Sequence, residues 1–116
     1  MMKFSTKFSA ILSICALMTI CSVTPASATS QTYSNEDHGF VNDWEMVQGV
    51  GTWVIKYGYN TSWINEDYTH AYHTNRRHSA IVVNANGSFS DDANAGGWAK
   101  IEVRHAGDSV TYMITY

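Results

Sequence analysis

Cysteine is scarce. The 116-residue chain has two, Cys15 and Cys21, and both fall ahead of residue 29. The remainder has no thiol for a disulfide, a zinc ligand or a nucleophile. Proline occurs once, at Pro25, so no Pro-rich linker divides the chain. Charged residues make up only 15%. Beyond residue 28 no apolar run is long enough to span a bilayer. The length itself allows one domain. Aromatic residues, at 13%, are plentiful and argue against disorder.

What is present first reads as an export leader. Lys3 and Lys7 open it, an apolar run from Phe8 to Ile20 follows, and Pro25 precedes the small-residue site Ala26-Ser27-Ala28. Cleavage after Ala28 is expected, leaving residues 29–116 as a secreted, extracellular chain. Cys15 and Cys21 each follow an isoleucine, which does not suit a lipoprotein. Lys3 and Lys7 leave with the leader, while all ten acidic residues stay against five Lys and Arg. An acidic chain is a poor partner for nucleic acid or anionic membranes.

Residues 29–48 read as a polar, acidic extension that is partly flexible. Phe40, Val41, Trp44 and Val47 can pack but follow no clean period. From Gly49 the pattern becomes β. Trp53, Ile55, Tyr57 and Tyr59 alternate with Thr52, Val54, Lys56 and Gly58, the period of a half-buried strand. Residues 60–77 are irregular. Ile81, Val82 and Val83 mark a buried strand, and Asn86-Gly87 a turn after it. Residues 88–97 read as a polar loop. Ala99, Ile101 and Val103 then share one face of a strand, with Lys100, Glu102 and Arg104 on the other. Ala106-Gly107-Asp108 reads as a hairpin turn into a last strand, whose buried face carries Val110, Tyr112, Ile114 and Tyr116. Short strands, frequent turns and no amphipathic helix predict an all-β domain over residues 49–116. Burial at this size is marginal; large aromatic side chains offset that, and a homodimer would help.

Gly51-Thr52-Trp53 with Tyr57-Gly58, His78-Ser79-Ala80 with Val82-Val83-Asn84, and Gly97-Trp98-Ala99-Lys100 occur in that order, ahead of an aromatic ending at Tyr112 and Tyr116. This combination resembles the lactococcin 972 family of bacteriocins. The resemblance implies a small antiparallel β-sandwich of two short sheets. It also implies inhibition of related Gram-positive bacteria, with the lipid-linked peptidoglycan precursor (lipid II) as target and septal wall synthesis as the blocked step. It implies no enzymatic activity and no cofactor. The family-motif residues Gly51, Trp53, Tyr57, Gly58, His78, Ser79, Trp98 and Lys100 are expected to be structural in large part. A membrane and ATP-driven immunity transporter in the producer is an expected partner. The segment between Tyr59 and His78 is longer than in the type member, and the acidic stretch before Gly49 is extra. A non-toxic exported adhesion or structural module is the alternative.

Arg76, Arg77 and His78 stand in a row at a motif boundary. Such donors can grip a pyrophosphate, with Lys100 as a fourth contact. Trp63, Tyr68 and Tyr72 lie in the irregular segment and are expected to present stacking surfaces, whereas Trp53, Tyr57 and Trp98 are expected in the core. His70, His73 and His78 have a loose metal-ligand spacing, for which surface histidines are the simpler account. Asp91 to Gly96 lack the closing glutamate of a calcium loop. No G-x-S-x-G or H-E-x-x-H motif is present.

Overall fold

The computed structural model describes residues 28–116; the leader expected from the sequence, apart from Ala28, lies outside the described residues. Eight strands and no helix make up this part: β1 (Ser30–Ser34), β2 (Trp44–Gly49), β3 (Trp53–Asn60), β4 (Glu66–His73), β5 (His78–Asn84), β6 (Gly87–Ala93), β7 (Trp98–Arg104) and β8 (Thr111–Thr115). They form two four-stranded sheets, ordered β1-β8-β5-β6 and β2-β3-β4-β7. Every pairing is antiparallel. The all-β sandwich expected from the sequence is therefore present.

The core lies between the sheets and follows the predicted alternation. Trp53, Ile55 and Tyr57 from β3 meet Ala80 and Val82 from β5 and Tyr112 and Ile114 from β8. Complete burial of side chains such as Ile55, Val82 and Ile114 contributes about 1.5–3 kcal/mol each. Much of the core is aromatic: Tyr57 lies 5.0 Å from Tyr112 and 5.2 Å from Tyr33, centroid to centroid.

Three local expectations fail, each for a physical reason. Residues 29–48 are not a mere flexible extension. β1 pairs with β8 and β2 with β3, so this segment supplies an edge strand to each sheet. Trp44 and Met46 pack toward the core while Val47 is 53% exposed on the opposite face; the exposed valine hides the period. Residues 88–97 are not all loop either, because Gly87–Ala93 forms β6 on the hairpin partner of β5. Its polar side chains suit an edge strand with one neighbour. Gly87 takes φ 131° at the turn, a backbone region open to glycine.

The link after β7 is not a hairpin. β7 bonds to β4, and β8 lies between β1 and β5 in the other sheet. Residues 105–110 carry the chain across the sandwich, with Gly107 at φ 85° and the Ala85 amide donating to the Ala106 carbonyl. A short link with glycine looks alike in sequence whether it returns within a sheet or crosses to the next.

Candidate binding face

β4 is built in reverse of an ordinary half-buried strand. Asp67, Thr69, Ala71 and His73 face inward and are buried, whereas Tyr68, His70 and Tyr72 lie on the outer face. The inward polar groups tie the sheets together. Thr69 Oγ1 donates to the Ile81 carbonyl at 3.0 Å, and the Asn84 amide donates to Asp67 at 3.0 Å. His105 Nδ1 reaches both Asp67 carboxylate oxygens, at 2.9 and 3.0 Å. His78 Nε2 meets the Ala71 carbonyl at 3.1 Å and its Nδ1 the Arg76 carbonyl at 2.9 Å. Phe40 stacks on His105 with centroids 4.1 Å apart. This inward polarity explains the irregular sequence of residues 60–77.

The predicted donor row does not form one cradle. His78 is buried, with each ring nitrogen facing a backbone carbonyl within hydrogen-bond distance. Its expected role as a surface contact is corrected to a structural one. Arg77 is exposed but engages Asn94 at 2.7 Å and Asp92 at 3.4 Å. Arg76 leans over Tyr116, 6.0 Å from its ring. Lys100 lies on β7, in register with His70 of β4.

The three predicted stacking residues are also separated. Trp63 is 94% exposed in the β3–β4 loop. Tyr68 is buried despite facing outward: its hydroxyl crosses the sheet and donates to Glu45 at 2.8 Å. Burial and the Glu45 carboxylate push its phenol well above the ordinary range. Tyr68 is thus corrected from an exposed stacking surface to a packed one. Tyr72 pairs with Trp98 at 5.4 Å. Trp98, expected in the core, is 41% exposed and belongs to this outer face. Trp53 and Tyr57 are buried as expected.

The outer face of the β2-β3-β4-β7 sheet is laid out in rows by the strand register. One row holds Trp98, Tyr72 and Val54; the next holds Lys100, His70, Lys56 and Val47. A third holds Glu102, Tyr68, Gly58 and Glu45. Lys56 Nζ sits 5.3 Å from the centre of the Trp98 ring, a cation–π contact. His70 Nε2 lies 2.8 Å from Glu102. Sequence reasoning placed Trp63, Tyr68 and Tyr72 on one surface but missed Trp98 and Lys56. The signal for Trp98 was its period: it shares parity with Lys100, Glu102 and Arg104.

The histidine spacing does not close on a metal. His70 faces outward with Glu102, while His73 and His78 face inward with ring centroids 6.4 Å apart. Among the described residues no group of three or more His, Cys, Asp or Glu is placed to hold an ion. His73 Nδ1 accepts from the backbone amides of Asn75 and Arg76, at 3.2 and 3.1 Å, and so closes the turn after β4. Burial, then Arg76 and His78, hold its pKa below the ordinary 6.5. The unfolded chain therefore takes up the proton first as pH falls. The His73 contribution to stability is complete above about pH 6.5 and declines as pH drops toward the folded value. We expect the thermal midpoint to fall more between pH 7.5 and 5 in the native protein than in His73→Asn, which keeps an acceptor without the titration. Equal falls would refute this.

Fold and site thus define a small, thiol-free β-sandwich with a patterned outer face. A family model described as Bacteriocin (Lactococcin_972) matches residues 49–112, and the chain belongs to this bacteriocin family. Comparison with curated proteins and with solved structures gave no match.

Proposed function

We propose that this protein is a secreted bacteriocin that inhibits related Gram-positive bacteria by binding, without catalysis. Its target is the lipid-linked peptidoglycan precursor, and the blocked step is wall synthesis at the septum. The family match over residues 49–112 carries this reading, and the leader-like start of the chain supports it. A dedicated transporter would protect the producer.

Within this reading, exposure favours some contacts over others. Arg76 and Trp63 are the exposed candidates without a side-chain hydrogen bond among the described residues, and they flank opposite ends of the eight-residue strand β4. That strand is about 26 Å long, so one headgroup cannot meet both. Arg76, as the cation, is the pyrophosphate contact in this account. Arg76→Ala is expected to lower inhibitory potency about tenfold, the loss of roughly one charge-assisted hydrogen bond, while Trp63→Ala leaves affinity for the precursor headgroup unchanged. Titrating the folded variants with soluble headgroup, alongside growth assays, checks both. Full activity in Arg76→Ala would remove the pyrophosphate contact from the account.

The acidic balance of residues 29–116, five Lys and Arg against ten acids, favours a second reading, a non-toxic exported adhesion or structural module. A folded chain that inhibits no strain of a broad panel would select it.

A further inference from the structure

We infer that the Trp98–Lys56 half of the outer sheet face binds a phosphate-bearing glycopolymer of the bacterial envelope. This rests on the reading of the chain as an exported protein that meets a Gram-positive wall. It assigns a capture surface separate from the Arg76 end of the molecule.

Three observations combine. First, the chain is acidic, yet two of the five Lys and Arg after residue 28, Lys56 and Lys100, share one row of this half of the face, while Arg104 lies beyond the Glu102 row, opposite Glu66. Second, the rows separate charge from apolar surface. Trp98, Tyr72 and Val54 form a strip with no carboxylate in it, and Lys100, His70 and Lys56 form the adjacent row. The rows are two residues apart along each strand, about 7 Å. A sugar or polyol unit resting on the strip places its charged linkage over the lysines. Third, the cations are available. Lys56 and Lys100 make no ion pair among the described residues, and Asp91 is spent on the Lys100 backbone amide at 2.9 Å. His70 is turned to Glu102, which leaves the charge of this row on two lysines whose backbones are two strand spacings apart, about 10 Å, with the Lys56 ammonium drawn over the Trp98 ring.

That arrangement points to the ligand. Two lysine ammonium groups beside an uncharged aromatic strip suit a chain that alternates apolar units with anionic linkages. A polymer of regularly repeated phosphodiesters is such a chain, and ammonium groups serve phosphate as point charges. The neighbouring row with Glu45 and Glu102 repels the polyanion and confines it to the half with Trp98.

The test uses protein purified after expression of the full-length chain, titrated calorimetrically with dextran phosphate, carboxymethyl dextran of equal charge density and plain dextran. Dextran phosphate should bind, more weakly as salt rises. Plain dextran should not bind, and carboxymethyl dextran should bind at least tenfold more weakly. The double variant Lys56→Gln/Lys100→Gln, checked for native circular dichroism, should lose at least tenfold in affinity for dextran phosphate. The Trp98 indole resonance should move on binding in the native protein. No binding, equal binding of the two charged dextrans, an unaffected double variant or a stationary Trp98 signal would each overturn the inference. Growth assays on the same preparation separate it from the bacteriocin reading. Inhibition without dextran phosphate binding overturns the capture surface alone, whereas binding without inhibition overturns the toxin reading alone.

Discussion

Gly58→Ala should cost about 3 kcal/mol or more, because a side chain there has nowhere to go. A Cβ at Gly58 would lie 2.1 Å from the Trp44 carbonyl oxygen and 3.0 Å from the Glu45 Cα. Both are backbone atoms of β2, so no rotamer change relieves the clash. β2 must shift away from β3, and it carries Trp44, whose ring packs edge-on against Tyr57 and Tyr112 at 6.2 and 5.8 Å. The same glycine lies between Tyr68 and Glu45 in the register, leaving open the path by which the phenol reaches the carboxylate. At about 4–8 °C per kcal/mol for a domain of this size, the thermal midpoint should fall by more than about 12 °C. Gly51→Ala is the matched control. Nothing lies within 4 Å of its added Cβ, so its effect should stay within about 0.5 kcal/mol. Similar midpoints for the two variants would show that β2 does not pack on β3 as described.

Asp67→Ala should cost about 3 kcal/mol. Asp67 is fully buried and accepts from His105 and Asn84. Its removal strands both donors between the sheets. Asn84 also donates to the Arg104 carbonyl and accepts from the Asn86 amide at 2.8 Å, so the disturbance reaches the β5–β6 turn. Asp67→Asn should fall between native and alanine, since it keeps the volume but presents an amide where His105 or Asn84 needs an acceptor. Breaking the exposed His70–Glu102 pair with Glu102→Gln should change stability by less than about 1 kcal/mol. Urea unfolding of the three variants measures the order. Asp67→Ala within 0.5 kcal/mol of native, an order-of-magnitude threshold for surface changes, would mean the buried network does not hold the sheets.

Much of the fold was legible where one face of a strand is apolar. Trp53 to Tyr59 and Val110 to Tyr116 alternate cleanly, and their inward residues are the core. β4 was not legible because it reverses the pattern: its aromatic residues Tyr68 and Tyr72 face outward, and its inward Asp67, Thr69 and His73 are satisfied by hydrogen bonds from the neighbouring sheet and turn. Periodicity registers hydrophobicity, not which polar groups will find partners. β2 was obscured by the exposed Val47, and β8 was misassigned to a hairpin because a link of few residues does not reveal which sheet it enters. The candidate site was legible in part. Residue types suited to binding were identified, but Arg76 lies in the turn after β4 and leans over Tyr116, Arg77 engages Asp92 and Asn94, and His78 opens β5 facing inward; a contiguous sequence does not reveal that the backbone turns there. The outer face depends on register across β2, β3, β4 and β7, which no local window contains.

The most direct test of the bacteriocin reading is growth inhibition by the folded protein. Protein from the full-length chain, verified as β by circular dichroism, is applied to a panel of related Gram-positive strains with heat-unfolded protein, verified by circular dichroism, as the control. The account predicts clear zones for the native protein, cells that fail at the septum, and none of this for the control. A folded native protein that leaves every strain growing and dividing normally would contradict it.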